Sequence, residues 1–125
     1  MNQEALSECE ELVMKVIWQS EEALSIQEIT TRINQQYQKD WKVQTVSTFL
    51  SRMVKKEYLT MKRQGRLFYY YPLVSESEYG KREITKCVEF WGKGKVDTLL
   101  AAFTEVRELT EDEKKSIRSM LDALD

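Results

Sequence analysis

Apolar residues recur along most of the chain at three- and four-residue spacing, the period of an amphipathic α-helix. Four serine or threonine residues mark helix starts. Each is followed three residues later by a glutamate, so the two side chains can satisfy each other's free backbone amides. These capping boxes are Ser7 with Glu10, Ser25 with Glu28, Ser75 with Glu78, and Thr110 with Glu113.

Three helices are predicted in the first half of the chain. The first ends near Ser20, the second runs from Ser25 to about Tyr37, and the third spans residues 43–56. Each has one apolar face suited to burial in a shared core. The inward residues are Cys9, Leu12, Val13, Val16 and Ile17 in the first helix, Ile26, Ile29, Ile33 and Tyr37 in the second, and Val46, Phe49, Leu50, Met53 and Val54 in the third.

After the third helix the pattern changes from helical to alternating. Two short segments, 58–62 and 66–71, flank Gln64 and Gly65, which predicts a β-hairpin with the glycine supplying the turn. Pro72 closes the second strand because it has no N–H for a continuing ladder. Three helices followed by a hairpin are typical of a winged helix-turn-helix, in which the third helix enters the DNA major groove.

The remainder of the chain is helical again, with breaks at Gly92, Gly94 and the Leu109–Thr110 cap. Its apolar stripes exceed what one short arm can bury, so we expect a second subunit to cover them. The predicted organisation is a winged-helix domain over residues 1–73 and a helical dimerisation arm over residues 74–125. Cys87 lies in the first stripe of the arm, and the residues predicted to dimerise are Ile84, Val88, Trp91, Val96, Leu99, Leu100, Phe103, Ile117, Met120, Leu121 and Leu124.

Charge is distributed unevenly along this chain of net charge −2. Residues 38–73 carry eight basic and two acidic side chains, whereas both flanking segments are acidic. A local excess of positive charge in an acidic chain predicts a surface that contacts phosphates, although a solvated charged face is the simpler alternative. The basic residues are Lys39, Lys42, Arg52, Lys55, Lys56, Lys62, Arg63 and Arg66.

The outward face of the third helix carries side chains that suit base and phosphate contacts. Gln44 suits adenine, Arg52 suits guanine or phosphate, and Thr48 suits a thymine methyl or a phosphate. The arginines of the hairpin suit phosphate or an adjacent minor groove. A stacking role for Tyr69–Tyr71 is an alternative to packing on the sheet. The predicted DNA-binding residues are Lys42, Gln44, Thr45, Thr48, Ser51, Arg52, Lys55, Arg63 and Arg66.

Composition argues against an enzyme, a metal site or a cofactor. The chain has no histidine, no paired metal-ligand motif and no phosphate-binding glycine loop. Its two cysteines, Cys9 and Cys87, lie in unrelated apolar stripes, so we expect buried, reduced thiols. No apolar run reaches the length of a membrane span and no signal peptide is evident, so we expect a cytoplasmic protein.

Several segments resemble the BlaI/MecI penicillinase-repressor family. These are residues 41–56 (WKVQTVSTFLSRMVKK), Tyr58 with Leu59, residues 65–74 (GRLFYYYPLV) and residues 11–18 (ELVMKVIW). The resemblance implies a homodimeric repressor of β-lactamase or methicillin-type resistance genes, bound to a palindromic operator in double-stranded DNA with one winged helix per half-site.

The resemblance also implies induction by a regulatory protease. In the family, a membrane sensor of β-lactams triggers cleavage within the dimerisation arm, and the matching bond here is Ala102–Phe103. The family's resistance repressors usually carry Asn before that Phe, and commonly carry Lys where this chain has Gln44. A repressor of the same family that answers a different signal is therefore an alternative. The copper-responsive branch of the superfamily is a weaker match, because it ends in paired Cys-x-Cys motifs, which this sequence lacks.

A different class of function remains open from the sequence. A winged helix can also serve as a protein-interaction module, and the acidic arm is consistent with that role. Salt dependence separates the two, because binding to DNA through several cations weakens steeply with rising salt.

Overall fold

The computed structural model describes residues 4–124, and in this part of the chain it contains six helices and three short strands. The predicted class, mainly helical with a small β wing, is confirmed. The described chain forms two compact units, of which the first ends at Gly80 and the second begins at Lys81. In chain order the elements are α1 (Glu8–Gln19), β1 (Leu24–Ser25), α2 (Ile26–Tyr37), α3 (Val43–Lys55), β2 (Leu59–Gln64), β3 (Leu67–Pro72), α4 (Glu76–Trp91), α5 (Val96–Val106) and α6 (Glu111–Ala123).

The helices begin where the capping residues predict. At Ser7, Ser25 and Thr110 the box is complete: the cap side chain accepts from the amide three residues on, and the glutamate there accepts from the cap amide. Ser75 also accepts from the Glu78 amide, at 3.1 Å. The helix ends follow the predicted breaks, with Ser20 as the C-cap of α1 and a gap at residues 92–95 after α4.

The sheet of the first unit has three strands rather than the two of the predicted hairpin. β3 lies in the middle, antiparallel to both β2 and β1. Gly65, at φ +65°, supplies the hairpin turn, and Pro72 ends β3 as predicted. β1 was not predicted, because its two residues are too few to show any period and Ser25 was assigned only as a helix cap.

The core of the first unit lies between α1, α2, α3 and the sheet. Most of the residues predicted to face inward are buried. Ile26, Tyr37, Phe49 and Val54 are half-buried and pack against the core, and Cys9 and Leu12 are also only half-buried. Other buried residues were not predicted. The apolar residues of the core are Leu6, Val13, Met14, Val16, Ile17, Leu24, Ile29, Ile33, Val46, Leu50, Met53, Tyr58, Leu59, Val74 and Tyr79.

Glu10 is a charged residue inside this unit, with only 1% of its surface exposed. Its carboxylate accepts from the Ser7 amide at 2.8 Å and from the Lys56 ammonium at 2.9 Å. Burial raises the pKa of Glu10, but the contacts with Ser7 and Lys56 outweigh it and leave the pKa below its usual value. The ion pair therefore ties the start of α1 to the end of α3, and Lys56 is occupied within the fold.

The first unit extends past the predicted boundary after residue 73. Val74 and Tyr79 are buried, the Trp18 indole donates to the Val74 carbonyl at 2.8 Å, and the Tyr79 hydroxyl donates to Glu11 at 2.6 Å. The first turn of α4 therefore completes the core of the first unit instead of starting the arm.

The second unit leaves most of its apolar side chains exposed. Within the described chain, α5 and α6 bury no residue fully. Of the eleven residues predicted to dimerise, only Val88, Leu99 and Ile117 are half-buried, and the others are exposed, including Trp91 at 69%. This unit holds a large apolar surface that its own helices do not cover.

The prediction that both cysteines are buried is wrong. Cys9 and Cys87 are free thiols, and each is only half-buried. Cys9 lines a surface cleft of about 550 Å³ together with Leu12 and Tyr37. Cys87 lies on α4.

Candidate nucleic-acid interface

Helix α3 is divided sharply into a buried face and an exposed face. Val46, Leu50 and Met53 are fully buried, at the three- and four-residue spacing of one helical stripe. The other side is solvent-exposed, and its Thr48 hydroxyl donates to the Gln44 carbonyl at 3.2 Å. The structure exposes every residue predicted to bind DNA on this helix and at its cap, namely Lys42, Gln44, Thr45, Thr48, Ser51, Arg52 and Lys55.

A side-chain clamp fixes the turn that leads into α3. The Asn34 amide donates to the Trp41 carbonyl at 2.9 Å, and its oxygen accepts from the Trp41 amide, also at 2.9 Å. The Trp41 ring packs against Phe49, with centroids 5.3 Å apart. α3 therefore starts from a backbone held to α2 on one side and to its own second turn on the other.

Asn34 is a structural residue that the sequence did not predict. One polar residue on a helix carries no periodic signal, and its partner is the backbone of a residue seven positions later. The half-buried backbone of the turn before α3 needs hydrogen-bond partners, and this need is the signal that could have indicated Asn34.

The hairpin presents two exposed arginines near its tip. Arg66 lies in the turn, and the Arg63 side chain folds back so that its Nε donates to the Gly65 carbonyl at 2.9 Å. Lys62 lies over the ring of Tyr71, 5.0 Å from its centroid. The hairpin thus adds cations to those of α3 within the same compact unit.

The three consecutive tyrosines are built into the sheet. Tyr70 packs against the core, and burial raises the pKa of its hydroxyl. Tyr71 lies under Lys62, and its hydroxyl accepts from Gln64 at 3.1 Å. Tyr69 is half-buried opposite Ser25 of β1. These contacts favour sheet packing over base stacking.

The cations of this surface are electrostatically available. Within residues 4–124, none of Lys42, Arg52, Lys55, Arg63 and Arg66 forms an ion pair, whereas Lys56 is paired with Glu10. Exposed cations without an ion-pair partner attract a polyanion without first breaking internal salt bridges. The arrangement suits the sugar–phosphate backbone of DNA. Among the described residues there is no group of three or more side chains that could hold a metal ion.

A winged-helix unit with a cationic third helix defines the class of helix-turn-helix DNA-binding proteins. The model of the penicillinase repressor family matches residues 6–123, and the chain belongs to that family. It is a DNA-binding repressor of the BlaI/MecI type, a class of transcriptional regulators and not of enzymes.

Relatives of known identity are similar over nearly the whole chain. The methicillin resistance regulatory protein MecI of Staphylococcus aureus (strain N315) is 33% identical over 116 residues, which cover 93% of this chain and 92% of MecI. The penicillinase repressor of Bacillus licheniformis is 26% identical over 117 residues, covering 94% of this chain and 89% of the relative.

Two solved structures match the fold. One is the solution structure of the DNA-binding domain of the repressor BlaI, with a TM-score of 0.53, and the other is the monomeric Bacillus licheniformis BlaI in complex with the blaP half-operator, with a TM-score of 0.51. Both are 32% identical to this chain and cover 62% of it and 92% of their own length. No helix in the described part of the chain is long and apolar enough to cross a membrane.

Replacing Asn34 by Ala is expected to destabilise the protein by roughly 1–3 kcal/mol, because the half-buried Trp41 amide and carbonyl lose their partner. Urea unfolding followed by tryptophan fluorescence measures the change. Gln35→Ala, an exposed neighbour on α2, is the control and should stay within about 0.5 kcal/mol of the wild type. Equal stability of the two variants would show that the clamp does not hold the turn.

Proposed function

We propose that the chain acts as a homodimer that binds a palindromic operator in double-stranded DNA, with one winged-helix unit on each half-site. The observation that carries this proposal is the exposed face of α3, whose cations form no ion pair within residues 4–124, together with the exposed arginines of the hairpin in the same compact unit. α3 is 13 residues long and reaches the surface along one whole side, as a helix in the major groove must. Operator binding sets its place of action in the cytoplasm.

The residues divide by role. Gln44 suits adenine and Arg52 suits guanine, because each side chain can make two hydrogen bonds to the base edge. Thr45, Thr48 and Ser51 lie on the same exposed side and are short enough to touch a thymine methyl or a phosphate. The cations that position the helix on the backbone are Lys42, Lys55, Arg63 and Arg66.

A relative binds DNA as a monomer. Bacillus licheniformis BlaI was solved as a monomeric form in complex with the blaP half-operator, and the match with that chain covers 62% of this protein. By analogy, each subunit here binds one half-site. Joining two such units makes the second contact intramolecular, so the dimer binds far more tightly than either unit alone.

The second unit supplies the dimer contact in this proposal. Its exposed apolar residues lie on all three helices of the arm, and burying them against a partner copy removes apolar surface from water. Each fully buried side chain of this size contributes about 1.5–3 kcal/mol. The β-lactam signal of the family acts, in this proposal, by weakening this contact through a regulatory protease.

The bond that the resemblance assigns for cleavage, Ala102–Phe103, lies inside α5. Proteases bind their substrates in extended form, so α5 must unwind before it is cut. Phe103 is held by Arg107, whose guanidinium lies 5.3 Å from the centre of its ring. Arg107 also donates to both oxygens of Glu113, at 2.9 and 2.7 Å.

This contact links the end of α5 to the start of α6. Glu113 closes the capping box at Thr110, and the Arg107 guanidinium with the Thr110 amide holds the pKa of Glu113 at about 2. The pair therefore stays charged at neutral pH. It acts as a latch that opposes unwinding of the segment that contains the proposed cleavage site.

The Arg52→Ala substitution tests DNA recognition. If Arg52 pairs with a base, the substitution is expected to cost roughly 1–3 kcal/mol of binding free energy on the cognate operator. If Arg52 contacts only a phosphate, the slope of log affinity against log salt concentration is expected to become shallower by about one unit. Fluorescence anisotropy at salt concentrations between about 50 and 200 mM measures both. Lys115→Ala, in the arm, is the control. Operator and random DNA bound equally and independently of salt would favour a protein-interaction module instead.

The Leu121→Asp substitution tests the dimer. Leu121 is 61% exposed on the apolar stripe of α6, so a charge there is expected to separate the subunits and lower affinity for the full palindrome by about a hundredfold or more. Sedimentation velocity and operator binding report the two effects. Ser119→Asp places the same charge on the opposite side of the helix and should leave a dimer. If Leu121→Asp remains dimeric with full affinity, this stripe is not the interface.

The Arg107→Ala substitution tests the latch. Without the guanidinium, α5 is expected to open more often, so chymotrypsin should cut after Phe103 about two- to fivefold faster. Mass spectrometry of the fragments follows cleavage of the Phe103–Thr104 bond, next to the proposed site, separately from cleavage elsewhere. Lys114→Ala removes the exposed pair with Glu111 on α6 and serves as the control. Identical cleavage rates in both variants would argue that the latch has no effect.

A further inference from the structure

One face of the hairpin continues the core outwards as an exposed apolar surface. In the register of β2 and β3, Met61 lies opposite Tyr70 and Arg63 lies opposite Phe68. Because side chains of a strand alternate between faces, these four residues share a face with the buried Leu59. Tyr70 still packs against the core, whereas Met61 and Phe68 beyond it are each 45% exposed.

The apolar pair lies in a cationic environment. The segment 58–73 contains Lys62, Arg63 and Arg66 but no acidic residue. Arg63, directly across the ladder from Phe68, is one of the cations in the proposed DNA interface. A partner that fits this surface must offer negative charge and apolar contact side by side.

The edge of a DNA groove has this chemistry. Phosphates alternate with deoxyribose rings along the backbone, and apolar side chains commonly pack into the minor groove beside inserted arginines. The surface belongs to the same compact unit as α3 and shares a face with Arg63 of the proposed DNA interface, which favours DNA over a separate protein partner.

We propose that Phe68, supported by Met61, packs against deoxyribose at the edge of the groove that Arg63 reaches. This inference rests on the proposed operator binding and adds an apolar contact to it. Burying the Phe68 ring contributes affinity that does not depend on salt, because no counterion is released when apolar surface is covered. The hairpin therefore supplies two separable contributions, one from its cations and one from its apolar face.

The experiment compares Phe68→Thr with Arg63→Ala in the full-length protein. Operator affinity is measured by fluorescence anisotropy over a range of salt concentrations, on a duplex that extends about one helical turn beyond each half-site. Threonine, like phenylalanine, favours β-strands, so the substitution should preserve the strand. The control is Leu73→Thr, a matched change at an apolar residue that is 57% exposed and lies just past the end of β3.

Phe68→Thr is expected to weaken binding roughly five- to twentyfold at every salt concentration, with the salt slope unchanged. Arg63→Ala is expected to make the slope shallower by about one unit. Leu73→Thr should bind as the wild type does. Circular dichroism and thermal melting show whether each variant is folded, and Phe68→Leu, which keeps most of the apolar area, should retain most of the affinity.

Three results would overturn the inference. Phe68→Thr could match Leu73→Thr in affinity, or it could change the salt slope as Arg63→Ala does. It could also shift the sedimentation of the free protein, which would make the surface a contact between copies of the chain. If the wild-type protein binds no operator, the proposed function itself fails; if it binds and Phe68→Thr has no effect, only this inference fails.

Discussion

The fold depends on burial of one stripe of α3. Val46, Leu50 and Met53 have no exposed surface, and their burial against α1, α2 and the sheet fixes which side of the helix meets the solvent. Because the exposed side is then determined, so is the set of side chains that a ligand can touch. A rotation of the helix by one residue, about 100°, would bring polar side chains into the core and leave them without partners. The same hydrophobic contact therefore stabilises the fold and orients the candidate interface.

Ion pairs and hydrogen bonds inside the first unit also determine which charged side chains remain available to a ligand. Two acidic residues of this unit are engaged inside the fold: Glu10 is buried against Lys56, and Glu11 accepts from Tyr79. The cations of α3 that have no internal partner are those on its exposed side. Lys56, one residue past the end of this helix, shows the contrast, since its ion pair with Glu10 takes it out of the group available to a polyanion.

Much of this could be predicted from the sequence because the signals are local. Capping boxes located the starts of α1, α2, α4 and α6, the apolar period located α3, and Gly65 and Pro72 delimited the hairpin. The features that were missed depend on distant parts of the chain. Asn34 acts on the backbone of Trp41, Glu10 on Lys56, and β1 exists only because β3 offers it a ladder. Neither pattern nor composition records such pairings. The predicted domain boundary after residue 73 fell too early for the same reason, since Tyr79 joins the core through contacts with α1 and Tyr58.

The two units differ in how completely they bury their own apolar side chains. The first has a closed apolar core and exposes apolar side chains mainly on its hairpin, whereas the second leaves Trp91, Val106 and Leu124 more than two-thirds exposed. Exposed apolar surface of this kind costs free energy in water until another surface covers it. Under the proposed function, a control signal has most effect on the second unit, because its apolar surface is buried only by a partner copy. A cut in the first unit would have to disrupt a packed core, but a cut in α5 needs only the opening of one helix held by the Arg107 latch. Loss of the covering partner then weakens operator binding through avidity, with each recognition helix left intact.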